Sequence, residues 1–315
     1  MTTDQSHHST RGLPLQLGRG EIWALVAAVA YAMNNIFVRA AIRDYDLNDL
    51  MGVALRAAPT FLFTLFMGIR VRRRNPEAVL PASNWQLMTM LVGYGILTFV
   101  IANPLLFSAL RAGGVLVASP VTGTQALWAA VIAALFLHET LNRRMVGGMV
   151  TSVAGITLLA VGQSGSSPVS PTWWLAVPLA LGTALCWALS GVLVTSAMRR
   201  GVDRFSALAV ATGSGIAVLN IILLLSGDIS VYITTPPMAQ ASLLLAGTLN
   251  AVALVSITTA LSLTSVASAT TLNSLQIGLA PLFACLFLGE QLGSWMAVGI
   301  LLIASGVIIV QRANS

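Results

Sequence analysis

Charge is what this sequence has least of. Asp, Glu, Lys and Arg make up 8% of its 315 residues, against about 25% in soluble domains, and lysine is absent altogether. A water-soluble fold cannot cover its surface with so few charges, which excludes both one large soluble domain and two small ones. Cysteine is nearly absent too: Cys186 and Cys285 stand alone inside apolar runs, so neither a disulfide framework nor a zinc site is available. The histidines are His7 and His8 in the polar N-terminal stretch and His138 at the end of an apolar run. No Asp or Glu lies within the core of any such run, and there is no HExxH and no phosphate-binding Gly-Lys-Ser/Thr loop. Without a nucleophile–base pair, paired carboxylates or a metal cluster, enzyme chemistry has nothing to work with, and no cofactor is expected.

The formal net charge of +6 invites a nucleic-acid reading. All sixteen basic residues are arginines, most of them in short clusters between or at the ends of apolar runs, the largest being Arg70, Arg72, Arg73 and Arg74. Such clusters look like membrane-topology determinants rather than a basic groove on a polar surface, so nucleic acid is not an expected partner.

What the chain does have is apolar length, with 57% hydrophobic residues. A helix needs roughly 20 apolar residues to cross about 30 Å of hydrocarbon. Ten runs qualify: 21–41, 47–69, 85–108, 114–137, 143–162, 173–197, 204–225, 240–263, 266–288 and 293–311. The expected fold is therefore an all-α integral membrane protein with ten transmembrane helices, and the lipid bilayer is its first partner. With the N-terminus inside, Arg11, Arg19, Arg70, Arg72–Arg74, Arg143, Arg144, Arg199, Arg200, Arg204 and Arg312 fall on the inner side, twelve in all. Only Arg39, Arg43 and Arg111 fall outside. That bias predicts two cytoplasmic termini. Trp23, Trp85, Trp173, Trp174 and Trp295 lie near span ends, where an aromatic belt belongs.

The chain also repeats itself. At an offset of 151, Ala109-Leu110 meets Ala260-Leu261, Gln125 meets Gln276, and Leu135-Phe136-Leu137 meets Leu286-Phe287-Leu288. The register continues through Glu139 and Glu290, Gly148 and Gly299, and Gly155 and Gly306. An offset of 156 aligns Tyr31 with Trp187 and Asn34 with Ser190. Each copy holds five spans, so the second must enter the membrane from the opposite face, as in secondary transporters. The expected layout is a polar tail over 1–18, a first repeat over 19–162, an outer linker over 163–172 and an inverted second repeat over 173–315.

The segment Leu279-Ala-Pro-Leu-Phe-Ala-Cys-Leu-Phe-Leu-Gly-Glu-Gln-Leu, running on to Gly299 and Gly306, resembles the repeat signature of EamA-type carriers of the drug/metabolite transporter superfamily. Its first copy runs from Leu127 to Gly162, with Leu137-His-Glu-Thr-Leu141 in place of Leu288-Gly-Glu-Gln-Leu292. Among these carriers the chain is most similar to YddG-type amino-acid exporters. The resemblance implies ten helices, a central cavity lined by both repeats with spans five and ten peripheral, alternating access, and export of small metabolites across the inner membrane of a bacterium.

Candidate binding residues are those whose polar groups lipid could not satisfy. In span four, Thr122 and Gln125 are i, i+3 neighbours, and the repeat maps them onto Asn273 and Gln276 of span nine, with Thr270 one turn away. Tyr31, Asn34 and Asn35 share a face of span one, answered by Trp187 and Ser190 in span six. Tyr94 and Thr98 in span three and Asn250 in span eight complete the set. Either these groups line the cavity or they hydrogen-bond helix to helix. Arg56 is the one charge deep in a span: it either pairs a substrate carboxylate, or snorkels outward or bonds backbone carbonyls loosened by Pro59. Glu139 and Glu290, in the turns before spans five and ten, are expected to satisfy free N–H groups at a helix start. Pro120 and Pro281, inside the two amide-bearing spans, are the candidate hinges.

A wall of amides, hydroxyls and rings with one cation suits a neutral or aromatic amino acid. The absence of an intramembrane carboxylate favours facilitated movement over proton coupling. The alternatives are a carrier or channel for another small metabolite or drug, or a non-transporting membrane scaffold.

Overall fold

The computed structural model describes residues 18–74, 84–125, 127–128, 131–132, 143–164, 171–263 and 272–313, and every regular element among them is helical. In chain order these are α1 (Arg19–Asp44), α2 (Asp49–Arg74), α3 (Trp85–Gly95), a π-helical segment (Ile96–Ala102), α4 (Asn103–Thr122), α5 (Arg143–Ser164), α6 (Ala176–Arg199), α7 (Arg204–Leu225), the short α8 (Val231–Thr234), α9 (Pro237–Leu263), α10 (Gln276–Phe283) with a second π-helical segment (Ala284–Leu288), and α11 (Ser294–Ala313). Polar side chains start several of them. Asn48 Oδ1 accepts from the Leu50 and Met51 N–H groups, Asn84 caps α3 through the Gln86 N–H, and Asp203 caps α7 through the Ser206 N–H.

Six helices among the described residues are long and apolar enough to cross a membrane, and two shorter ones are apolar. One of the six runs from Trp85 to Thr122, 38 residues, or about 57 Å if straight. That is nearly twice the hydrocarbon thickness. Gly114 resolves the excess: at φ 68° and ψ −174° it breaks the run at the expected passage from span three to span four. Spans four and nine, Thr270, His138 and Glu139 fall wholly or partly outside the described residues.

Large apolar side chains cover the outside of the bundle, among them Leu62, Val150, Leu225 and Leu301, as in a protein solvated by lipid. Trp23, Trp85, Trp174 and Trp295 are exposed near helix ends. The interior is packed around Met51, Leu106, Phe107, Leu110, Leu219 and Leu243.

The repeat is visible in three dimensions at the seam between α5 and α11, the most extensive helix pair. A Cβ on Gly155 would fall 2.7 Å from the Gly299 carbonyl oxygen, and a Cβ on Gly299 would fall 2.7 Å from that of Gly155. Shifting by 151 residues converts this pair into Gly306 and Gly148, and there too a Cβ on Gly306 would collide with the Gly148 carbonyl. Between the two contacts, Ser152 Oγ donates at 3.4 Å to the carbonyl of Ile303, its own repeat counterpart. Residue numbers fall along one helix as they rise along the other, so the pair is antiparallel. A contact of i with j, mirrored by the counterparts of i and j, defines a two-fold axis. An axis relating antiparallel spans is what an inverted repeat requires. The remaining packing obeys the same axis: α1 lies on α9 and α3 on α6, while α2 packs on α7 and α4 on α10.

Candidate substrate site

Spans four and nine, which the apolar runs predict as regular helices, are both tightened at one place, and in the same way. After Thr122 the chain makes a turn at Gly123-Thr124, and after Asn273 it makes one at Ser274-Leu275. The Thr124 N–H donates to the Val121 carbonyl, and its repeat counterpart Leu275 donates to Leu272, each at 3.1 Å. Leu127 donates to Thr124 at 2.8 Å just as Gly278 donates to Leu275 at 3.0 Å. These i→i−3 bonds tighten the backbone into a local 3₁₀ turn at symmetric positions. Gln125 and Gln276 follow the two turns directly, and both are half-buried. The spans cross closely here, since a Cβ on Gly123 would run into the Ile277 side chain. Neither candidate hinge sits in its turn: Pro120 precedes the first by three residues, and Pro281 lies inside α10. Gly123 (φ −59°, ψ −18°) and Leu275 (φ −58°, ψ −22°) keep right-handed helical backbone, so each span is tightened rather than unwound.

A polar cluster adjoins the first turn. Arg56 on α2 is 5% exposed, and its Nη1 donates to Asn34 Oδ1 on α1 at 3.3 Å. Its Nη2 donates to Asn103 Oδ1 at the start of α4 at 2.5 Å. The guanidinium lies 5.8 Å from the centre of the Phe107 ring. Held by two amides from neighbouring helices, Arg56 neither snorkels outward nor bonds the backbone near Pro59. Asn34 Nδ2 donates to Asn35 Oδ1 at 3.1 Å, and Asn35 Nδ2 donates to Ser119 Oγ on α4 at 3.3 Å. A chain of hydrogen bonds thus leads from Arg56 to within four residues of the Gly123 turn. Tyr31 on α1 has Tyr94 and Arg56 as electrostatic neighbours. The π-helical segment carries Thr98 and Asn103 to one side of span three, where the Asn103 N–H donates to the Thr98 carbonyl.

Other predicted residues are used differently. Thr122 and Ser190 bond their own helices, at the Ser119 and Cys186 carbonyls. Asn250 donates to Thr60 Oγ1 at 3.2 Å and ties α9 to α2. Trp187 packs against the main core, and Asn273 Oδ1 is buried without a partner among the described residues. Asn103 and Phe107 belong to the cluster, although nothing in the sequence singles them out.

One end of the bundle is tied across the repeats. Glu290 accepts from the N–H groups of Val115 and Leu116 at 3.2 and 3.1 Å, and Arg39 Nε pairs with it at 3.4 Å, both side chains being buried. Glu290 therefore does satisfy free N–H groups at a helix start, but of the limb after Gly114 rather than of span ten. Gly114 must be glycine on two counts. Its φ and ψ lie in a region other residues scarcely enter, and a Cβ would strike the Glu290 carboxylate. Nearby, Arg43 donates to the Leu288 carbonyl at 3.2 Å, and Arg111 pairs with Asp49 at 2.7 Å. All three arginines of the predicted outer end are thus consumed by the fold. Arg70 and Arg72–Arg74 at the opposite end are exposed.

Comparison with known proteins agrees with this architecture. Residues 18–161 and 174–312 each match the EamA-like transporter family, one match per repeat. No curated protein matches the chain. A solved structure titled "Crystal structure of protein" superposes with a TM-score of 0.59 over 94% of this chain and 99% of the other, at 15% identity, so the two share a fold.

Proposed function

The chain belongs to the EamA-like transporter family, a membrane transporter of small molecules and not an enzyme, and we propose that its solutes are neutral or aromatic amino acids, exported by alternating access between the repeats without proton coupling. One observation carries this reading: spans four and nine cross, at symmetric tightened turns, beside a buried cluster of amides, hydroxyls and aromatic rings that contains a single cation. Such a lining matches a zwitterion with an apolar side chain. A sugar phosphate would call for several cations, and an organic cation for a carboxylate that no span core contains.

Alternating access needs contacts that join the repeats on one side at a time. The Glu290 link is of that kind, since it joins α1 and the α4 limb of the first repeat to the turn after α10 of the second. With the arginine bias setting the orientation, this link closes the outer side, about 7.5 Å beyond the Asn34 level of the site, since Arg39 is five residues further along α1. The resemblance to YddG-type exporters supports the same direction of transport.

Ligand-induced stabilisation of the purified protein tests the substrate class, because a ligand that binds only the folded state raises its unfolding temperature. Phenylalanine, tryptophan, leucine and methionine at millimolar concentration are expected to raise it by several degrees. Stabilisation by sugar phosphates or quaternary amines, with none by amino acids, contradicts the reading.

A further inference from the structure

A cation buried in a bundle interior is ordinarily matched by an anion, because removing its hydration costs far more than neutral hydrogen bonds return. Arg56 has no such match among the described residues. Its two terminal nitrogens are spent on the neutral oxygens of Asn34 and Asn103, and its third donor, Nε, is buried with no hydrogen-bond partner. Its electrostatic neighbour is Tyr31, and Phe107 offers a ring face. No carboxylate lies within the core of any span, so the fold has left the counter-charge out. The Thr98 hydroxyl, in a residue 8% exposed, has the Tyr94 side chain as its neighbour but no hydrogen bond of good geometry, and Thr98 is joined through its carbonyl to the Asn103 that holds Arg56. The guanidinium N–H calls for an oxygen acceptor carrying negative charge, and the Thr98 hydroxyl is able to donate to the same acceptor.

We propose that Arg56 and Thr98 form a carboxylate-selective subsite, and that the substrate's own carboxylate supplies the counter-ion the fold omits. This deepens the amino-acid reading above and rests on it, while predicting something that reading does not require: the free carboxylate is obligatory, and Arg56 is the reason. The subsite is one-sided. Its charge comes only from the first repeat, whereas Ser190 of the second repeat is committed to its own backbone and Asn250 to Thr60. A substrate with one anionic end therefore binds in one orientation, carboxylate towards α2 and α4. Asn34 and Asn103 are positioning residues, which hold the guanidinium plane with Nε free.

The test is initial-rate exchange in proteoliposomes with three probes of one carbon skeleton: phenylalanine, its carboxamide, and 3-phenylpropanoate, which lacks the amine. The wild-type carrier is expected to move phenylalanine at least about 30-fold faster than the carboxamide. In Arg56→Gln that ratio should collapse to within about threefold, whereas a merely structural role for Arg56 would slow both probes together and leave the ratio standing. Thr98→Val, which keeps the volume, should raise the half-saturating concentration of phenylalanine about 5-fold with little change for the carboxamide. This variant and the wild-type ratio decide the matter if Arg56→Gln does not accumulate. Equal rates for phenylalanine and its carboxamide in the wild type, or a ratio untouched by both substitutions, overturn the subsite while leaving amino-acid transport intact. Transport of 3-phenylpropanoate alone, lost in Arg56→Gln, has the opposite meaning: the subsite stands and the amino-acid reading falls.

Discussion

At the scale of the residue, Gly114 and Gly147 make a controlled pair. Gly114 holds an ε-region conformation against the Glu290 carboxylate, whereas Gly147 lies on α5 with open space, nothing within 4 Å, where a methyl would go. Gly114→Ala is expected to destabilise the protein by about 2–3 kcal/mol from backbone strain and loss of the Glu290 cap. Gly147→Ala should be neutral or stabilising by about 0.5–1 kcal/mol, as for any exposed helical glycine. Thermal unfolding in detergent checks both, and equal effects would mean that Gly114 is not under strain. Gln125 and Gln276 are the other informative pair. If both face solute, Leu at either position weakens apparent affinity by ~1–2 kcal/mol, or 5- to 30-fold, with the folded protein still abundant. A fall in stability with unchanged affinity would show that the amides join helices instead. Both glutamines and Arg56 are legible as sequence, because a polar group deep in an apolar run has few places to go. Asn103 is not, because its role depends on a π-helical register that no residue pattern announces.

At the scale of the element, the α5–α11 seam carries the repeat and should be intolerant of added volume. Gly306→Ala, which would press a methyl into the Gly148 carbonyl and Ser152, is expected to cost about 1–3 kcal/mol by overpacking, and Gly155→Ala similarly. If the seam tolerates both, its close approach is incidental to stability. The 151-residue spacing marks these glycines without saying that they touch, because a repeat offset gives correspondence and not contact. The tightened turns in spans four and nine are hidden for another reason. The first has glycine at Gly123, but the second is built from Ser274 and Leu275, which are ordinary helix residues. What holds the turns is the crossing of the two spans, a tertiary constraint. Glu290 shows the same limit at greater range: its cap target lies 175 residues away.

At the scale of the whole molecule, hydropathy and the arginine distribution suffice to predict orientation, since both follow from the bilayer as solvent. Cysteine at Arg73 should be protected from a membrane-impermeant maleimide in intact cells, and cysteine at Gly227 should be labelled. Labelling at Arg73 would invert the molecule and, with it, the side closed by Glu290. Function is legible only as far as the family resemblance and the lining chemistry reach, because a carrier's specificity lies in a few groups brought together from spans one to four and nine. The most direct test of the central claim is counterflow of labelled phenylalanine into proteoliposomes with equal pH on both sides. The account predicts saturable uptake driven by unlabelled substrate inside, unaffected by an uncoupler. Uptake that stays linear with concentration, or that accumulates only under an imposed pH gradient, would contradict it.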